Sequence, residues 1–191
     1  MKTLIRTSCC FDIFVRNAPL KAAAGSTGGH KMMQKAQEVL SDCRHALDLL
    51  EGESQPQTFR VLWVAGVALT RAVGHVLQKI DGEQNDATKK AVEAAYASWK
   101  ADKLGNAIFW EFIEEERNQV LKQYELGFLA DPVNVMAGGE VTTLDGHLFC
   151  PITDGTFAGE DCRDVLERAI EWWKRQLAEI ECAARKVQDG A

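Results

Sequence analysis

At 191 residues, with 46% hydrophobic and 26% charged side chains, the chain has the composition of an ordinary globular protein and the length of one domain. Its formal charge is -6, divided as +4 over residues 1–31 and -10 over the remainder; so acidic a body disfavours extended non-specific nucleic-acid binding and leaves only small or locally recognised RNA open. Arg60, Arg71, His75 and Lys79 interrupt the most hydrophobic stretch short of the roughly 20 apolar residues that a membrane-spanning helix needs, so no membrane association is expected.

Residues 1–31 hold clusters of Ser, Thr, Gly and Ala without a sustained period and read as a disordered leader ahead of a single domain over 32–191. Asp12 and Arg16 break its one apolar run, which argues against a secretory signal. Its basic composition has a superficial likeness to a transit peptide, and translation from Met32 or Met33 is the preferred reading.

From Met33 onward Ala36, Val39, Leu40, Cys43, Ala46, Leu47 and Leu50 recur at three- and four-residue steps, predicting a first helix that Gly52 stops. Ser54-Gln55-Pro56-Gln57 then reads as a capping box with proline in the first turn. The second helix runs to Asp81-Gly82, apolar around much of its circumference, and is expected to be the central, most buried member of a bundle. A third helix begins near Asp86, with Val92, Ala95, Tyr96 and Trp99 as its stripe, and stops near Gly105, where Asn106 can cap the next. The fourth places Phe109, Phe112, Ile113, Val120, Leu121 and Tyr124 on one side and is expected to end at Gly127 and Pro132.

Residues 128–160 change character, and alternation around Asp145-Gly146 predicts a short hairpin or ordered loop. Asp161 is expected to cap a fifth helix with Val165, Leu166, Ala169, Ile170, Trp173, Leu177, Ile180 and Ala184 inward. Trp172 and Trp173 point about 100° apart, so one needs a partner beyond the stripe, either under the 128–160 segment or at a dimer interface. The fold class is therefore an all-α antiparallel bundle of about five helices with a small hairpin or loop before the last.

Chemical motifs are sparse. Neither GxxxxGK[ST] nor GxGxxG occurs, no Glu lies three residues before any histidine, and no serine sits in a GxSxG elbow, so phosphate loops, di-iron bundles and serine hydrolases have no support. The six cysteines, without a CxxC, read as reduced thiols of a cytoplasmic protein. His147, Cys150 and Cys162 are the nearest approach to a zinc pattern but lack a fourth ligand, and no metal or cofactor is expected.

The informative stretch is Glu114-Glu115-Glu116-Arg117-Asn118, preceded by Phe109-Trp110-Glu111-Phe112. Arg117 follows Ile113 by four and precedes Leu121 by four, so its stem can pack at the border of the stripe while its guanidinium reaches a groove or a carboxylate such as Glu114. A bundle whose late helix carries Arg-Asn after an aromatic and acidic run, preceded by an apolar helix such as 59–72, resembles the HEPN superfamily over about residues 33–127. That resemblance implies a homodimer and, in catalytic members, an Arg followed by a polar residue and, four to six positions on, a His; the pair cleaves RNA without metal across the dimer interface. Arg117 and Asn118 match the first half, and the histidine's place is taken by Lys122, Gln123 and Tyr124. Neither an ammonium nor a phenol is a good base at neutral pH. His75, one turn from Arg71, is the other residue that can supply a base if the second and fourth helices pack together.

The expected function is accordingly a non-catalytic HEPN-like binding or assembly role, as a homodimer with an RNA or nucleotide ligand beside Arg117. The alternatives are a metal-independent ribonuclease of a toxin or defence system, using Arg117 and Asn118 with His75 or Tyr124, and an acidic protein-protein scaffold.

Overall fold

The stripe read in residues 36–50 forms α1 (Gln34–Glu51), with Ala36, Leu40, Cys43, Ala46, Leu47 and Leu50 buried. The structure, a computed structural model, describes residues 33–189, and the leader assigned to 1–31 lies outside the described residues. The residue before α1, Met33, is buried in the left-handed conformation and supplies no side-chain cap. The cap comes from the far end of the next helix, where the buried carboxylate of Asp81 accepts the backbone N–H of Ala36 (2.8 Å) and of Lys35 (3.3 Å). Two otherwise unsatisfied amides are thereby paired, by a negative charge at the positive end of the helix dipole.

α2 (Pro56–Val76) continues through a wider π-helical turn, Leu77–Asp81. Proline does stand in the first turn, but the capping box does not form. Pro56 holds Gln55 extended (φ -82°, ψ 117°) and makes it the cap residue, which moves Ser54 one position too far out. Gln55 contributes no side-chain cap, and its own N–H donates to Glu53 (2.6 Å). The inner face of α2 carries Phe59, Trp63, Gly66, Val67, Thr70 and Val73. A methyl group at Gly66 would lie 2.9 Å from Leu166 Cδ2, so glycine is what lets α5 approach here.

The expectation that α2 is the most buried member of the bundle is corrected, since α5 buries the larger face. The outer side of α2 stays at least partly open, with Val61 59% exposed and Val64, Ala65, Ala68, Ala72 and Val76 half-buried. By length and composition alone Pro56–Asp81 is apolar enough to cross a membrane, with a mean hydropathy of 1.3 over 18 residues and a third of that window buried. The interrupting charges lower that value less than the sequence reading assumed.

α3 (Asp86–Ala101) is capped by Asn85, whose side-chain oxygen accepts the N–H of Thr88 (2.8 Å). α4 opens with a π-helical stretch, Ile108–Glu114, and becomes regular over Glu115–Gln123. Asn106 does not cap it with its side chain, which donates to the Asp102 carbonyl and accepts from Trp172 Nε1. Phe109, Phe112, Ile113 and Val120 are buried as expected, whereas Leu121 and Tyr124 are 50% and 68% exposed. The helix stops short of Gly127, because Tyr124 turns left-handed (φ 55°, ψ 32°) and sends the chain back toward α2.

The hairpin is real but displaced. β1 (Val133–Ala137) pairs antiparallel with β2 (Glu140–Leu144), and the turn is Gly138-Gly139, both at positive φ as a two-residue hairpin turn demands. Asp145-Gly146 opens a separate turn closed by the Leu148 N–H on the Asp145 carbonyl (2.8 Å). Neither strand packs against a helix. The following segment is fastened by two short bridges, Phe128 with Ile152 and Pro151 with Asp161.

Asp161 caps α5 (Cys162–Asp189) as the sequence suggests, accepting the N–H of Arg163 (2.9 Å). The whole expected stripe of α5 is buried, and so are both tryptophans. Trp172 finds its partner at the α3–α4 connection, bonding Asn106 Oδ1 (3.2 Å) and stacking on Phe109 (5.2 Å), and neither the 128–160 segment nor a dimer interface is needed to explain it.

Because Asp81 joins residues far apart in sequence, its loss costs more than an ordinary surface cap. Asp81→Ala is expected to lower the unfolding free energy by about 2 kcal/mol, and Asp81→Asn by less, in urea denaturation monitored by far-ultraviolet circular dichroism. Equal stability of the alanine variant and the parent would remove the cap's assigned role.

Candidate functional site

α2 and α4 lie side by side, and a groove of about 330 Å³ runs between them, lined by Ala68, Arg71, Ala72, His75, Arg117 and Leu121. Helical spacing builds it. Ala68, Ala72 and His75 follow one another at steps of four and three along α2, and Arg117 and Leu121 stand one turn apart on α4. The two alanines keep the floor low, and the longer side chains make the walls. Its volume falls at the lower end of the roughly 300–1,000 Å³ typical of ligand sites.

The charges in the groove are all of one sign. Arg71 is held by Glu114 on α4 (Nε to Oε1, 3.0 Å), the carboxylate that was one of the alternative partners for Arg117. Arg117 instead donates from Nη1 to Oδ1 of its neighbour Asn118 (3.1 Å), and among the described residues no carboxylate lies within ion-pair distance of it. Both are half-buried. His75 is exposed at the same groove. Tyr124, the other base considered, is not among the lining residues and stands out at the end of α4. Arg71 also lines a second cavity, of about 250 Å³, with Tyr96, Trp99, Phe109 and Trp173.

The residue that ties α4 to its neighbours is Glu116, on which the sequence placed no role. Glu116 is 7% exposed, and its Oε1 accepts the indole N–H of Trp63 on α2 (3.2 Å) and the backbone N–H of Gly127 (3.1 Å). A side chain at position 127 would collide with the Glu116 carboxylate, so glycine there lets the returning chain come within reach. The signal was present. Glu116 stands three residues after Ile113 and four before Val120, in register with the buried stripe, and only its charge argued against an inward position.

Burial pushes the Glu116 carboxyl above its ordinary value of 4.5, against the two hydrogen bonds from Gly127 and Trp63, which favour the charged form. Cys150 and Cys162, of the loose zinc pattern, do come together. Among the described residues, however, no group of three or more His, Cys, Asp or Glu side chains is arranged to hold a metal ion. Comparison with family models, curated proteins and solved structures finds no match to this chain. What the fold and the groove define is thus a class by architecture: a five-helix bundle with a cationic interhelical groove.

A carboxyl whose folded value stands above its unfolded one stabilises the native state while protonated. That contribution is complete below 4.5 and is lost as the pH rises through the folded value. Glu116→Gln retains an oxygen acceptor for both donors and cannot ionise. Urea denaturation at a series of pH values is expected to show the parent losing stability relative to Glu116→Gln as the pH rises above 4.5. Parallel profiles would show that the carboxyl is not penalised by burial.

Proposed function

We propose that this protein is a non-catalytic, HEPN-like binding or assembly protein that works as a homodimer and takes an anionic ligand, RNA or a nucleotide, in the groove between α2 and α4. The observation that carries the reading is the state of Arg117. Its guanidinium lines the groove, its one described partner is a neutral amide, and no carboxylate joins it among the lining residues. A guanidinium left without a counter-ion in a concave site is suited to bidentate recognition of phosphate. Homodimerisation is supported by the open outer side of α2, where Val61 is exposed and Val64 and Ala65 are half-buried. A metal-independent ribonuclease remains the second reading, favoured by one observation: His75 lines the same groove as Arg117, while the Arg-Asn motif lacks its own histidine.

Two measurements separate these readings. In fluorescence anisotropy with a labelled single-stranded RNA, Arg117→Ala is expected to bind about tenfold or more weakly, the loss of one charge-assisted hydrogen bond. Unchanged affinity would remove the groove from RNA recognition. The same proteins incubated with a mixed RNA pool without metal should leave it intact; cleavage lost in both Arg117→Ala and His75→Ala would establish the ribonuclease instead. For the assembly, sedimentation velocity should give a dimer for the parent and a monomer for Val61→Glu, and a monomeric parent at micromolar concentration would end the homodimer reading.

A further inference from the structure

Cys150 and Cys162 occupy opposite positions across the pairing that fastens the segment before α5 to the start of that helix. Pro151 and Asp161 form an antiparallel bridge, and the N–H of Cys162 donates to the carbonyl of Cys150 (2.9 Å), which sets the two cysteines directly across from each other. Residues so placed have Cα atoms about 4.5–5.5 Å apart, inside the roughly 4.4–6.8 Å that a disulfide spans. Both cysteines are buried and free. As a thiol, Cys150 also reaches the carbonyl of Gly146 (Sγ to O, 2.9 Å).

We propose that Cys150 and Cys162 are an oxidative modification site, a dithiol that a small hydroperoxide such as hydrogen peroxide converts to an intramolecular disulfide. The two sulfurs have different environments. The hydrogen bond from Cys162, followed by the nearby charge of Arg163, holds the Cys150 thiol below its ordinary value, while burial pushes the Cys162 thiol well above it. We assign Cys150 as the attacking sulfur and Cys162 as the resolving one; the disulfide formed is the same whichever attacks first. The Cys150 thiolate attacks one peroxide oxygen; an S–O bond forms, the O–O bond breaks, and the hydroxide released takes up the proton that Cys150 lost. Cys162 then attacks the sulfenic sulfur; the S–S bond forms, the S–O bond breaks, and a second water leaves with the Cys162 proton. Two thiols lose two electrons and one peroxide becomes two waters.

The surroundings select the oxidant and the pair. At 1% and 0% exposure the two cysteines are closed to bulky disulfide reagents, and an oxidant as small as hydrogen peroxide needs the least local opening to reach them. Among the other described cysteines, Cys43 is buried with its thiol pushed up to about 12, chiefly by desolvation, and Cys182 is exposed. The disulfide would lock residues 150–161 to the first turn of α5.

The test is thiol mapping of the full chain after treatment with millimolar hydrogen peroxide, alkylation in denaturant, and mass spectrometry of a non-reducing digest. A peptide cross-linked between Cys150 and Cys162, lighter by two hydrogens and released by dithiothreitol, is the expected product. In Cys162→Ser the reaction should halt at the Cys150 sulfenic acid, which dimedone added in denaturant traps. Cys150 and Cys162 both remaining alkylatable under conditions that oxidise Cys182, or cross-links joining either one to a different cysteine, would overturn the proposal on the parent protein alone, whether or not the serine variant folds.

Discussion

The groove depends on how Trp63 is anchored. Its ring is fully buried, meeting Phe112 and Phe128 edge-on at 5.9 and 5.4 Å, and its N–H reaches a carboxylate on another helix. An indole N–H in an apolar interior needs an acceptor, and a carboxylate there needs donors. Trp63 and Glu116 satisfy each other, and Gly127 supplies the second donor. This draws α4 and the chain beyond it onto α2. It also fixes the rotation of α4, because with Glu116 facing inward the next residue, about 100° further round, must lie at the helix border. Arg117 comes to the groove as a consequence of where its neighbour is held.

The number and type of the helices, and the inner faces of α1 and α5, were legible because they rest on period alone, whereas Tyr96 on α3 and Leu121 and Tyr124 on α4 stand outward. The α5 stripe and the buried residues of α1 follow from three- and four-residue spacing without knowledge of any partner. Several of the caps were not, because a cap is settled by whichever group arrives. Ser54 loses its role to the geometry that Pro56 imposes, Asn106 is taken by Trp172, and α1 is capped by Asp81, which no local pattern connects to it. At Glu116 residue type and position disagree: the charge argues for an outward place, and the helical register, which the fold obeys, puts the side chain inward. For the site, period placed Arg117 at a border, but that His75 shares its groove could come only from the packing of two helices distant in sequence.

The segment between α4 and α5 divides into two parts with different physical support. The hairpin of β1 and β2 holds its register through its own ladder and the two glycines of its turn, with no helix behind it. An isolated two-stranded ribbon of this kind is marginal in water. Residues 150–161, by contrast, are pinned at several points, with Asp161 accepting from both Cys150 and Arg163 and the Arg163 guanidinium reaching back to the carbonyls of His147 and Leu148.

The distribution of the five tryptophans has a spectroscopic consequence. Trp99, Trp172 and Trp173 have ring centres 4.9–5.7 Å apart, and Trp110 bonds the Trp99 carbonyl beside them, whereas Trp63 lies in a separate nest with Phe59, Phe112 and Phe128. Indoles packed so closely exchange excitation energy, and their coupled transitions give near-ultraviolet dichroism that vanishes when α3 and α5 part. Trp63 emits from beside a carboxylate at the seam of α2 and α4. The molecule thus carries two built-in optical probes, a collective one for the end of the bundle where α3 meets α5 and a single one for the seam that shapes the groove.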